Sequence, residues 1–258
     1  NLSIKKNIGS IKLLWKFSFD DGSLKDSLFK YLESDETLTY IENLNNKYYS
    51  NNSISSYIFI GSREFIADMT TKLPVYEDQF KEAADVYNLD WKLLAAISYQ
   101  ESRWNNNAIS PTGVKGLMML TKSTANMLGV DRLNPNESIL GASKYITQLS
   151  KKYIKYNKNT MMSMTLGAYN VGPGHISDII KLAMKDNVNI ENWLTLKKYL
   201  LKLHKKQFYK NMEYGYARGW EAVQYIENVK QYYDIISFLE EKDKKIQNNI
   251  LQEGPKTL

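Results

Sequence analysis

The chain contains no cysteine, two histidines and five prolines in 258 residues. Without cysteine there is neither a disulfide framework nor a thiolate metal site. The compartment stays open, because a chain of this length buries an adequate core without covalent staples. His175 and His204 lack ligand-spaced partners, so no metal and no other cofactor is expected. No run of 18 apolar residues occurs, so no spanning helix is expected. The first residue is Asn1 rather than Met, and no basic-then-apolar leader follows. We therefore expect a processed or excised piece of a longer polypeptide, with its targeting address missing. A composition of 43% hydrophobic and 24% charged residues excludes wholesale disorder. The length allows one large domain or two modest ones.

The net charge of +6 is uneven. Residues 1–89 carry 10 Lys/Arg against 13 Asp/Glu, residues 90–170 carry 10 against 4, and residues 171–258 carry 14 against 11. A basic middle third points either to an anionic polymer or surface, or simply to a solvated lysine-rich exterior. The lysines form no dense stripe and no nucleic-acid motif accompanies them, so nucleic acid is not expected as a partner.

Near the start, Ile11, Leu13, Trp15, Phe17 and Phe19 alternate with polar residues over most of their length, the period of a strand. Two helices are expected after it, capped by Ser23 and Ser34, with a Ser/Asn-rich linker at 50–56. One strand and two helices cannot make a sheet, so this reads as the last piece of a larger domain. From residue 62 the pattern is helical, with expected helices at 63–71, 75–88, 91–104, 122–128, 137–156, 160–170, 174–185, 191–203 and 215–241. The fold class expected is mainly α.

The helix beginning after Asp90 is the most informative. Leu93, Ile97 and Glu101 follow one another at i, i+4, i+8, so Glu101 continues an apolar stripe. A carboxylate there must be neutral or specifically paired. Two readings fit the position: a general acid with raised pKa, suited to cleaving a sugar ether, or a structural Glu bonded to Arg103 or to a backbone group. Residues 105–117, with Asn105-Asn106-Asn107, Ser110-Pro111 and two glycines, form a loop directly after it. Ser110 offers a hydroxyl, and Gly113 and Gly116 let backbone approach a ligand closely. Met118 and Met119 read equally well as core filler.

Glu101-Ser102-Arg103-Trp104, Ser110-Pro111-Thr112-Gly113, Gly116-Leu117-Met118-Met119-Leu120 and Ala168-Tyr169-Asn170-Val171-Gly172 occur in this order. Together they resemble the signature of family-one lytic transglycosylases, helical enzymes of lysozyme-like fold, over about residues 75–240. Most members carry Gln where this chain has Met119. The family's Glu-Thr-Arg-x-Tyr pattern is read here at Tyr216-Ala217-Arg218-Gly219-Trp220. Both departures resemble one membrane-bound branch, in which a periplasmic solute-binding-like domain precedes the catalytic one. The resemblance therefore implies a short α/β remnant of that domain plus linker at residues 1–56, and a catalytic domain at 57–258.

What the resemblance implies chemically is cleavage of peptidoglycan glycan strands without water, leaving 1,6-anhydro ends, with Glu101 as acid and then base. Ser110, Gly116, Met118, Tyr169, Asn170, Tyr216 and Arg218 are the expected substrate contacts. The residues themselves agree in one respect: from Ser102 to Val130 there is no Asp or Glu, and glycosidases that use water ordinarily need a second carboxylate. A hydrolytic muramidase and a catalytically silent peptidoglycan-binding module stay open as alternatives. The resemblance further implies residence in the periplasm, with peripheral attachment to the inner face of the outer membrane left open. It also implies a muropeptide or amino-acid ligand for the missing part of the first domain.

Overall fold

A computed structural model of the chain describes residues 2–8, 11–17 and 62–253, and the single positions 27, 31 and 34. It divides into two compact units, Asn1–Phe59 and Ile60–Leu258. In the first unit β1 (Leu2–Ile8) and β2 (Ile11–Phe17) form an antiparallel pair, in register from Leu2 opposite Phe17 to Ile8 opposite Ile11. This corrects the expectation of an unpaired strand at residues 11–19. The partner is the preceding segment, where Leu2, Ile4 and Ile8 also alternate but Lys6 interrupts the apolar face. The two helices expected at 23–48 lie outside the described residues apart from those single positions.

The second unit is helical. In order it contains α1 (Ser62–Thr71), a single 3-10 turn (Leu73–Val75), α2 (Glu77–Tyr87), α3 (Trp91–Ser102), α4 (Lys122–Leu128) and α5 (Pro135–Lys152). There follow α6 (Lys158–Val171), α7 (Pro173–Lys185), α8 (Trp193–Leu200), the short α9 (Lys206–Tyr209) and α10 (Gly219–Glu253). Polar side chains cap five of these ten helices, at α3 to α6 and at α8. The Asp90 carboxylate accepts from the Lys92 amide, Thr121 from Thr124, Asn157 from Thr160, and Asn134 from both Asn136 and Glu137, with Pro135 pre-set for the first helical position. The helix expected at 91–104 stops two residues early because Arg103 and Trp104 both turn left-handed, at φ of 53°. The helix expected from 215 starts at Gly219 and runs to Glu253.

Helix α3 is the axis of this unit. Every residue from Leu93 to Tyr99 is buried. Helices α2 and α10 pack on α3, α10 continues onto α6, and α5 closes the layer between α2 and α6. Leu94 and Ile97 are wholly withdrawn from water, each worth about 1.5–3 kcal/mol. Two contacts tie the start of α3 to α10: Tyr233 donates to Asp90 at 2.8 Å, and Lys92 meets Glu240 at 3.1 Å. Tyr99, seven residues beyond Lys92 on α3, packs its ring on Tyr232, eight residues before Glu240 on α10, so the two helices run antiparallel.

The first residue of α10 sits against the end of α8 so closely that a Cβ on Gly219 would overlap the Leu200 carbonyl oxygen. Substitution must therefore push the helix start outward. Gly219→Ala is expected to cost about 1–3 kcal/mol in urea-unfolding free energy. Gln224→Ala, on the exposed face of the same helix, is expected to change it by less than about 0.5 kcal/mol.

Candidate active site

Glu101 lies in the last turn of α3, and the helix's own pattern directs it at the start of α10. There Tyr225, buried on α10, donates its hydroxyl to Glu101 Oε1 at 2.7 Å. The carboxyl is packed deep in protein, yet the residue keeps a partly exposed edge. Burial raises its pKa to about 7, against the smaller opposing effect of the Tyr225 bond. The C-terminal end of a helix disfavours negative charge as well. Near neutral pH this group is therefore divided between acid and conjugate base.

Two more tyrosines complete the surroundings. Tyr169, from α6, donates to the Met118 carbonyl at 2.8 Å, and its ring meets that of Tyr145 on α5 at 5.9 Å. Burial, reinforced by the Glu101 charge, holds both Tyr169 and Tyr225 hydroxyls well above the usual phenol range. They are permanent neutral hydrogen-bonding groups.

No second carboxylate contributes to the shift at Glu101. The acids nearest in sequence are engaged elsewhere. Asp90 caps α3 and accepts from Tyr233. Glu137 accepts from the Asp131 amide, and Asp131 accepts from the Leu133 amide. Arg103 is turned away as well: it pairs with Glu64 at 2.8 Å and donates to the Tyr99 hydroxyl. Of the structural readings open for Glu101, a bond to Arg103 is therefore excluded.

The loop after α3 is braced rather than loose. Beside an isolated bridge between Ile109 and Lys115, the Ser110 amide donates to the Val114 carbonyl at 2.8 Å, and the Ser110 hydroxyl accepts from the Val114 amide at 3.0 Å. That hydroxyl also bonds Thr112. Gly116 is buried at φ of 99°, and a Cβ there would overlap the Arg132 carbonyl oxygen. Met118 is fully buried, so its side chain serves the core while its carbonyl holds Tyr169. Trp104 is also core, with its indole N–H on the Ala95 carbonyl at 2.9 Å. Asn170 is exposed at the end of α6. Tyr216 is exposed beside Tyr209, and exposed Arg218 pairs with Glu221 at 2.6 Å. Among the described residues, no three His, Asp or Glu side chains are grouped to hold a metal ion.

Thus the structure brings together Glu101, Tyr169 and the Met118 carbonyl, and adds Tyr225 and Tyr145, which the sequence reading missed. Tyr225 carried a signal. Glu221 and Tyr225 stand four apart, the spacing of the outer residues in Glu-Thr-Arg-x-Tyr, and that placement fits the structure better than Tyr216–Trp220. Tyr145 carried none, since it lies within an ordinary amphipathic helix.

Residues 78–192 match the family model described as Transglycosylase SLT domain. A membrane-bound lytic murein transglycosylase F of Shewanella loihica is 38% identical over 236 residues, which is 91% of this chain and 49% of that protein. One from Pseudomonas fluorescens is 40% identical over 222 residues, 85% of this chain and 45% of that protein. The chain thus spans about half the length of the curated relatives it matches. Among solved structures, an inactive mutant of lytic transglycosylase Slt from Pseudomonas aeruginosa is 20% identical, covering 64% of this chain and 24% of that one at a TM-score of 0.46.

Because the folded chain holds Glu101 near pH 7, well above the ordinary glutamate range, the folded state favours its neutral form. Its contribution is complete below the unfolded-state pKa and is lost as pH rises through 7. Glu101→Gln should therefore be more stable than the parent by about 3 kcal/mol at pH 8, with the difference vanishing near pH 4. Urea unfolding of both proteins across that range measures it.

Proposed function

Carrying a transglycosylase SLT domain, and related along most of its length to membrane-bound lytic murein transglycosylases F, this chain is, we propose, a lytic transglycosylase acting on peptidoglycan. The observation that carries the reading is a lone, buried carboxyl poised near neutrality with no second carboxylate in its field. A hydrolase that activates water across the sugar needs that second group.

In the proposed reaction, neutral Glu101 gives its proton to the oxygen linking N-acetylmuramic acid to the next sugar. As the bond breaks, the substrate's own N-acetyl group supports the developing cation. Glu101, now ionised and held by Tyr225, takes the proton from the C6 hydroxyl of the same muramic residue. That oxygen closes on C1, giving a 1,6-anhydro ring and no net uptake of water. A single group serving as acid and then base works best with a pKa near the operating pH, and contributes about 10²–10⁴-fold. The Tyr169–Met118 contact fixes the wall of the groove beside Glu101, and Asn170 stands free in solvent at its end to meet a sugar amide. Ser110 and Gly116 shape the loop on which the glycan lies, the Ser110 hydroxyl being already used to brace it. Tyr216 and Arg218, exposed before α10, are assigned to the outer reach of the strand.

The same reading puts the chain in the cell envelope, where its substrate lies, with peripheral attachment to the inner face of the outer membrane. It takes residues 1–56 as the end of a solute-binding-like domain. The ligand assigned to that domain is a muropeptide or amino acid.

Purified murein digested by the chain should yield sugar products one water lighter than reducing muropeptides, and Glu101→Gln should yield none. Reducing-end products would make the chain a hydrolase. Binding without cleavage by the folded parent would make it a recognition module. On the pH profile, kcat/KM should fall as pH rises past about 7. Tyr225→Phe removes the bond that favours ionisation. It should move that limb to higher pH while lowering kcat about 10–100-fold.

A further inference from the structure

One end of the helical unit combines lysine with exposed aliphatic side chains. From Ser138 to Ser177 the sequence contains no Asp or Glu, and five lysines: Lys144, Lys151, Lys152, Lys155 and Lys158. Four of these lie in or beside the turn from α5 to α6, Lys-Lys-Tyr-Ile-Lys-Tyr-Asn-Lys: Lys151 and Lys152 close α5, Lys155 stands in the turn and Lys158 opens α6, and none of the four makes an ion pair among the described residues. In their midst Ile154 is 76% exposed. The turn is latched to the segment between α7 and α8. The Glu191 carbonyl accepts from Asn157 Nδ2 at 2.6 Å and from Thr160 Oγ1 at 2.8 Å. Met184, 67% exposed in the last turn of α7, lines a shallow cleft with Lys155 and Tyr156, and Leu194, 69% exposed, stands in the first turn of α8.

Single exposed aliphatic side chains are ordinary on a protein surface; what marks this end is Ile154 and Met184 standing beside lysines that make no ion pair among the described residues. Sugars are gripped by aromatic faces and hydrogen bonds; here Tyr156 is the one aromatic residue of the cleft, and the Asn157 and Asn189 amides already donate to Glu191. A bilayer carrying anionic headgroups matches both halves: the aliphatic tips enter the interface and the lysines meet phosphate. The acids at this end offset only part of the charge: Asp186 is paired with Lys202, and Glu191, bonded to the neutral Asn189 amide, leaves one carboxylate against four lysines. We propose that this end of the unit docks on the surface of an anionic phospholipid membrane, through Lys151, Lys152, Lys155 and Lys158 with Ile154 and Met184. Lys152 lies seven residues beyond Tyr145 on α5, about 10 Å along the helix. Docking would therefore hold the proposed groove close above the membrane.

The test is co-sedimentation of the full chain with vesicles of phosphatidylethanolamine and phosphatidylglycerol, against vesicles of phosphatidylcholine alone. The parent is expected to pellet with the anionic vesicles only, less so as salt is raised. Lys151→Glu and Lys155→Glu are each expected to lower the partition about tenfold, and Ile154→Ser with Met184→Ser to lower it further. All these variants should keep the parent's rate on soluble glycan fragments, which also shows that they fold. Vesicle binding unchanged in every variant would overturn the proposal. So would a parent that does not pellet with anionic vesicles, or variants that lose retention on purified murein sacculi while still partitioning to vesicles. None of these readouts depends on whether Glu101 cleaves by transglycosylation or by hydrolysis.

Discussion

The hydrogen bond from Tyr225 to Glu101 joins residues 124 positions apart, and it can form only while α10 lies antiparallel along α3. Burying a carboxyl is costly unless it is neutral or bonded. Here both conditions hold in part: burial favours the proton, and Tyr225 accommodates its loss. Either effect alone would spoil the group. With burial alone the ionised state would be too unfavourable to act as a base, and with strong bonding alone the acid would be spent at neutral pH. The packing of two helices thus sets a chemical property of one oxygen.

The rest of the site follows from keeping that arrangement while opening one side of it. Helix α3 ends just past Glu101 because Arg103 and Trp104 turn left-handed. The turn drops Trp104 into the core, where it joins Phe65, Tyr99 and Tyr232, with Phe65 and Tyr99 at 4.6 Å. It also sends the chain into the Ser110 loop. The loop returns through Gly116, against the Arg132 carbonyl, and reaches Met118, whose carbonyl meets Tyr169. A rigid cluster on one side of α3 and a braced loop on the other leave the carboxyl a narrow exposed edge.

Helix positions and the anomalous glutamate were legible in the sequence because both are local. Period, caps and breakers act within a few residues. Glu101 was conspicuous because it broke the pattern of its own helix. Tyr225 was not, because a tyrosine on an apolar stripe looks like core until a distant carboxyl is placed against it. Arg103 looked like a partner for Glu101 by proximity in sequence, but the left-handed turn carried it to Glu64. Strand β1 was missed because Lys6 breaks its alternation, and its pairing with β2 is a property of two segments rather than one. What escaped was information held between elements.

Between α3 and α10 the side-chain hydrogen bonds bracket the Tyr99–Tyr232 ring contact: Glu101 with Tyr225 on one side, Asp90 with Tyr233 and Lys92 with Glu240 on the other. Helix α10 is therefore a ruler with fixed marks. One residue added between Tyr225 and Tyr233 would swing one mark about 100° around the axis and 1.5 Å along it, so the two could no longer be met together. Exposed residues between the marks, such as Gln231, are free to vary in kind. Their number is not: along this stretch the length of the chain is held more tightly than its spelling.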